Sequence, residues 1–143
     1  MLYQEYLKKK HFCPFCNLLK KEILKQNKYA ILTFAKAPYT SDHLLVVPKK
    51  HKISIGSLKP REKRAVDDLI HYGIKMLHKK YKNVTVLYRE GILKQVGKSV
   101  SHLHYHLIPN LLIGAYNIDF TKRKIYSEEE YVKKIGEIKK ELF

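Results

Sequence analysis

The stretch "SHLHYHLIPN", residues 101–110, constrains the fold of this chain more than any other segment. Imidazole and larger apolar or aromatic side chains alternate from His102 through Leu103, His104, Tyr105 and His106 to Leu107. A repeat of two belongs to a β-strand, where successive side chains point to opposite faces. Leu103, Tyr105 and Leu107 then require a hydrophobic layer behind the strand, and the three histidines share the other face. Along a strand they stand about 6.5 to 7 Å apart. One zinc ion, with nitrogen bonds of about 2.1 Å, cannot easily collect all three from a straight strand. The triplet is therefore divided between jobs. Near neutral pH an imidazole can ligate a metal or attack as a nucleophile, and a hydrogen-bonding ring can hold phosphate oxygens.

The remaining pattern supplies that hydrophobic layer. "YAILTF", Tyr29 to Phe34, reads as a strand, and "HLLVV", His43 to Val47, reads as a second that Pro48 stops. Ser57 stands as a candidate cap for one long helix, with Pro60 in its first turn. Val66, Leu69, Ile70, Ile74 and Leu77 recur in it at helical spacing. "NVTVLYRE", Asn83 to Glu90, is a third strand, and Ser99 to Ile108, which contains the triplet, is a fourth. "SEEEYVKKIGEIKKELF" begins with serine and acids and ends in lysines, the order of charges that a helix dipole favours. The expected fold is α+β, a mostly antiparallel sheet with one long helix and a C-terminal helix. No repeat or linker divides the chain, so residues 1–143 read as a single domain.

The 143 residues carry 29 lysines and arginines against 13 acids, a formal charge of +16. Nucleic acid is the first partner such a balance suggests. The lysines, however, are spread along the whole chain, with no helix-turn-helix, finger or RNA-binding motif beside them. An anionic small substrate suits the same field and is the expected partner. No apolar run matches a bilayer span, and the start lacks the apolar stretch of a secretory signal. A cytoplasmic protein with no membrane partner is the default.

The two cysteines, Cys13 and Cys16, stand in "HFCPFCNLL". In a reducing compartment this spacing suggests a metal site or a redox pair before a structural disulfide. Two thiolates from a tight turn are half of a tetrahedral zinc site, and two nitrogens would complete it. His51 and His102 are the best candidates, with His11 the rival. The redox alternative lacks the strand-before, helix-after context of thioredoxin-like folds.

Assembled, these residues resemble the histidine triad (HIT) family. "HLHYHLI" is similar to its motif of histidines alternating with apolar residues. "SDHLLVVPKKH" resembles the upstream strand, "CPFC" the cysteine pair of zinc-bearing members, and "GKSVSH" the entry to the triad. The resemblance implies a five-stranded antiparallel sheet and a homodimer. It also implies hydrolysis or transfer at the α-phosphate of adenosine-type nucleotides, such as dinucleoside polyphosphates or phosphoramidates, through a covalent nucleotidyl-histidine. On that pattern His104 is the nucleophile, His106 and Ser99 contact the α-phosphate or leaving group, and His43 orients the triad. Cys13, Cys16, His51 and His102 would hold a structural zinc, and no organic cofactor is implied. Two positions depart from the pattern: Lys98 replaces a common glutamine, and Arg89 a common asparagine. Both add charge where substrate phosphates would bind. A binding module with little or no catalysis is the alternative they raise.

Overall fold

The computed structural model describes residues 2–10, 13–93, 98, 100–111 and 125–142. A short helix α1 (Tyr3–Lys10) precedes the Cys13–Cys16 turn. Strands β1 (Ile23–Gln26), β2 (Ala30–Phe34) and β3 (Leu44–Pro48) follow, then helix α2 (Pro60–Leu77), β4 (Val84–Tyr88) and β5 (Tyr105–Pro109). The five strands form one sheet in the order β1-β2-β3-β5-β4, and every paired neighbour is antiparallel. This is the expected α+β architecture. A C-terminal helix α3 (Glu128–Leu142) belongs to a second packed unit, Leu112–Phe143, separate from Met1–Leu111.

Strands β2 and β3 are apolar almost without interruption because both of their faces are covered. On one face Ala65, Val66, Leu69 and Leu77 of α2 pack against Ala30, Leu32, Leu44, Val46 and Leu107. The approach is close. A methyl group at Gly73 would collide with Leu107 Cδ1 and come within 3.3 Å of Leu32 Cδ1. On the other face, Phe15 from the cysteine turn packs with Ile31, Ala35, Leu45, Val47 and Val100. Leu107 points toward α2, so His106 beside it faces the cysteine turn. The alternation read from the sequence thus becomes a division between a dry helix layer and an imidazole layer.

Several boundaries differ from the sequence expectation for local reasons. Ser57 ends a one-turn 3-10 helix and does not cap α2. Lys59 holds the cap position, its amide donating to Glu62 Oε1 at 3.0 Å, and Pro60 opens the helix with its preset φ. The fourth expected strand is shorter than Ser99 to Ile108, because at Leu103 the chain pairs irregularly. Its amide donates to Lys52 O, beyond the end of β3. Strand β1 was absent from the sequence reading. Its ILKQ side chains are mostly exposed and its register slips between Ile23 and Lys25, so no alternation marks it. For α3 the expected cap is present: Ser127 and Glu130 each accept a hydrogen bond from the other's amide.

Candidate functional site

Three structural devices bring the histidines together. The central position of β5 fixes His106 between β3 and β4, opposite Leu45 and Leu87. A tight turn ahead of β3 carries Asp42 at φ 62°, a left-handed conformation that aspartate tolerates better than most residues. The Asp42 carboxylate takes hydrogen bonds from Lys80 and the Tyr81 hydroxyl, which pins the turn to the end of α2. That turn delivers His43, fully buried, against His106. The third device is the cysteine turn, whose Phe15 lies edge-on to His102 at 5.8 Å and tilted against His104 at 5.1 Å.

The hydrogen bonds fix the tautomer of each ring. The Tyr39 backbone N–H can only donate, and it donates to His43 Nδ1 at 3.1 Å. In neutral His43 the proton is therefore on Nε2, which lies 2.9 Å from His106 Nδ1. Nδ1 of His106 accepts, and its own proton sits on Nε2. In the same way, the carbonyl of His102 can only accept. His104 donates Nδ1–H to it at 2.8 Å, so Nε2 of neutral His104 carries the lone pair. Burial pushes the pKa of His104 down to about 4, against the His102 hydrogen bond that raises it; Lys98, His102 and Arg89 add repulsion. Burial likewise lowers His43 to about 4, helped by His104 and Arg89, and lowers His106 to about 3, helped by His104, His43 and Arg89.

The rings open on a cavity of about 340 Å³. Its polar end is formed by His43, His104, His106, Tyr39 and Arg89, and its remaining wall is apolar, including Phe15, Ala35, Leu45 and Val100. Tyr39, four residues before His43, stacks on His106 with centroids 5.8 Å apart and planes at 11°. Its hydroxyl accepts a hydrogen bond from Arg89 Nη1 at 3.0 Å. The only hint of this role in the sequence is its place four residues before His43 in a tight turn. Phe15 was equally hidden, inside C-x-x-C.

Lys98 is placed differently from Arg89. Its side chain is buried, with Nζ donating to Ser101 O at 3.0 Å, and it lines a neighbouring hollow with Glu90 and Ser101. Burial holds its pKa below the usual lysine range, and Glu90 acts in the opposite direction. It is not among the described residues that line the histidine cavity. Ser99 and His11 lie outside the described residues.

Behind the cavity, ligand atoms of Cys13, Cys16, His51 and His102 lie within 4.8 Å of one another, and the group could hold a metal ion. His102 Nδ1 is 3.4 Å from each sulfur, and His51 Nδ1 is 3.3 Å from Cys16 Sγ. The other nitrogen of His102 donates to Pro48 O at 2.8 Å, leaving Nδ1 free of a proton in the neutral ring. Without a metal, burial and the adjacent Cys13 push the Cys16 thiol up to about 11.

This division of three alternating histidines between a cysteine cluster and a cavity can be compared with known proteins. A family model described as "Scavenger mRNA decapping enzyme C-term binding" matches residues 12–126. An uncharacterized HIT-like protein of Mycoplasma genitalium is 31% identical, over 89% of this chain and 94% of that protein. The chain belongs to the histidine triad family. Another HIT-related sequence, adenosine 5'-monophosphoramidase HINT3 of Xenopus tropicalis, is 30% identical over 83% of this chain and 78% of that protein. The fold agrees with a HIT family protein of Bacillus subtilis at a TM-score of 0.69 and 18% identity, covering 92% of this chain and 97% of that one. For a histidine triad nucleotide-binding protein of Candida albicans the TM-score is 0.70, at 20% identity and with the same coverage.

The buried pair makes a testable statement about pH. His43 and His106 have folded pKa values of about 4 and about 3, below the unfolded value of about 6.5. Their neutral forms contribute stability that is complete above about pH 6.5 and is lost as pH falls through about 4 and then about 3. Ring-nitrogen NMR at about pH 5 is expected to show both rings neutral, with the His106 proton on Nε2. A midpoint near 6.5 for either ring would contradict the network.

Proposed function

We propose that this HIT protein is a nucleotide hydrolase or nucleotidyl transferase that attacks the α-phosphate through a covalent nucleotidyl-His104. The observation that carries the reading is the fixed His104 tautomer: Nδ1–H is spent on the His102 carbonyl, and Nε2 remains nucleophilic beside the cavity. The match to HIT-family sequences, one named as an adenosine 5'-monophosphoramidase, supports nucleotide hydrolase chemistry in general. We read residues 1–143 as one functional domain, acting as a homodimer in the cytoplasm. Among the described residues no helix is long and apolar enough to cross a membrane.

In the first half-reaction the Nε2 lone pair forms a bond to the α-phosphorus, and the bond from phosphorus to the leaving group breaks with its electron pair departing. The phosphorylated ring keeps its Nδ1–H and carries a positive charge, which the His102 carbonyl faces. His106 Nε2–H donates a hydrogen bond at the reacting phosphate, held in position by His43 and by the Tyr39 ring. Ser99 is assigned a further contact to the phosphate, and Arg89 a charge contact; Lys98 contributes its field from behind. In the second half-reaction water, or another acceptor hydroxyl, attacks phosphorus. The N–P bond breaks, His104 returns to its neutral form, and the acceptor's proton leaves to solvent. Splitting one displacement into two lowers each barrier.

The cysteine and histidine cluster fits zinc. Two thiolates and two imidazoles make a closed donor set, and sulfur–nitrogen separations of 3.3 to 3.4 Å are near the tetrahedral edge of about 3.6 Å that zinc bond lengths imply. Bound there, zinc would neutralise both thiolates and clip the turn that carries Phe15 to the start of the triad, a structural service.

Two measurements test these assignments. Assayed on adenosine nucleotides with polyphosphate or amine leaving groups, wild type is expected to release AMP, and His104→Ala to lose at least about 10³-fold in kcat. Full activity in His104→Ala, or none in wild type, would contradict the catalytic reading. Native mass spectrometry should find one zinc per chain, absent from Cys16→Ser. A metal-free native mass for wild type would contradict the zinc site.

A further inference from the structure

Helix α1 precedes the cysteine turn, and its start reaches the histidine cavity. Leu2 and Tyr3 line that cavity together with Phe15, Ala35, Leu45 and Val100. Tyr3 and Leu7, about one helical turn apart, pack against the cluster that contains Phe15, Ala35 and Leu45. The Tyr3 ring also stacks on Tyr6, with centroids 6.0 Å apart and planes at 12°. Two aromatic rings thus line the cavity from different supports. Phe15 is buried in the turn between the two cysteines, whereas Tyr3 rides on the helix.

The helix holds together only with help from the sheet. α1 is 8 residues long, YQEYLKKK, and an isolated helix shorter than about 12 to 15 residues is marginal in water. Its helical form therefore depends on docking, so that folding and docking are one local event. A strap at Lys36, just past β2, adds to the apolar contacts. Lys36 Nζ donates to the Tyr6 hydroxyl at 3.0 Å, lies 5.0 Å from the Tyr6 ring centroid and pairs with Glu22 at 2.7 Å. The Glu22 carboxylate is itself held by the Leu19 amide at 2.7 Å. Neither Leu7 nor Lys36 is among the described residues lining the cavity, so docking can be altered without touching the cavity wall.

We propose that α1 is a lid on the histidine cavity and that Tyr3 is its contact with the ligand, a nucleobase stacked on the phenol ring. The proposal rests on the nucleotide reading set out above. A base laid along the apolar wall gains the Tyr3 face only while α1 is docked, so bound nucleotide shifts the helix toward its docked form. Ribose 5-phosphate lacks the ring and gains nothing from Tyr3. Every base has a π-face, so the lid senses that a base is present without reading which one. The imidazoles are positioned independently of it: His104 is held by the His102 carbonyl and His106 by His43. Loss of the lid therefore weakens binding and leaves the geometry at phosphorus in place.

The chain contains no tryptophan, so Tyr3→Trp places a single indole fluorophore on the lid. Its emission is expected to be quenched by AMP and unchanged by ribose 5-phosphate. In titration calorimetry Tyr3→Ala should weaken AMP by about 10-fold, the scale of one base–aromatic stack. Its affinity for ribose 5-phosphate, measured by displacement of AMP, should stay as in wild type. Tyr3→Phe should bind AMP as wild type does, because the ring and not the hydroxyl makes the contact. Leu7→Ser and Lys36→Met, which loosen the helix from outside the cavity, should weaken AMP in the same direction. Amide hydrogen exchange in α1 of wild type should slow when AMP is added. Unchanged AMP affinity in Tyr3→Ala, or in both Leu7→Ser and Lys36→Met, overturns the lid and leaves the nucleotide reading standing. So does an equal loss for the two ligands. A wild type that binds AMP through α1 but releases none from any substrate keeps the lid and loses the catalysis. No AMP binding by wild type overturns both.

Discussion

Strand β5 lies between β3 and β4, with neighbours on both edges and a layer against each face, so its period-two alternation imposes a choice on everything around it. Leu107 faces helix α2, and the packing there is close enough that α2 carries a glycine opposite it. The imidazoles face the other way, into a layer that must satisfy every nitrogen. One covering element, the Cys13–Cys16 turn, provides both an apolar plug in Phe15 and two sulfurs for His102. The opposite flank is closed by the Tyr39–Asp42 turn and His43. The cysteine–histidine cluster and the cavity thus both draw on the imidazoles of this strand and of the segment that leads into it.

Backbone groups give the histidine layer its chemical direction. Imidazole is ambivalent, able to donate or accept at either nitrogen, whereas an amide N–H only donates and a carbonyl only accepts. Three backbone contacts, from the Tyr39 amide and to the carbonyls of Pro48 and His102, settle the roles of four rings. His102 turns a lone pair to the sulfurs, His104 has one at Nε2, and His106 presents a proton. Because these partners belong to the main chain, side-chain substitution elsewhere cannot remove them without moving the sheet. Burial then keeps the rings neutral, as the proposed attack by His104 requires.

Much of this was legible in the sequence, and the failures have physical causes. The alternation at His102 to Leu107 implied a strand with unlike faces, which holds from Tyr105 onward, whereas His102 and His104 lie in the irregular segment just before it; the helical spacing of Val66, Leu69 and Leu77 implied the layer behind it. The cysteine pair with His51 and His102 was also readable, and these residues converge in space. Strand β1 was not readable, because an exposed edge strand with a register slip carries no hydrophobic period. Tyr39 was hidden because its contribution is half backbone and half stacking, neither of which leaves a pattern. Arg89 and Lys98 looked alike as charges near a phosphate site, yet only Arg89 is among the described residues lining the cavity, Lys98 being tied to Ser101.

The central claim is that the three alternating histidines have three different jobs and that the middle one bonds to phosphorus. Rapid acid-free quenching during turnover of diadenosine tetraphosphate, followed by peptide mapping by mass spectrometry, tests it most directly. The account predicts a nucleotidyl adduct on His104 and on no other residue. An adduct on His102 or His106, or turnover with no adduct at any quench time, would contradict it.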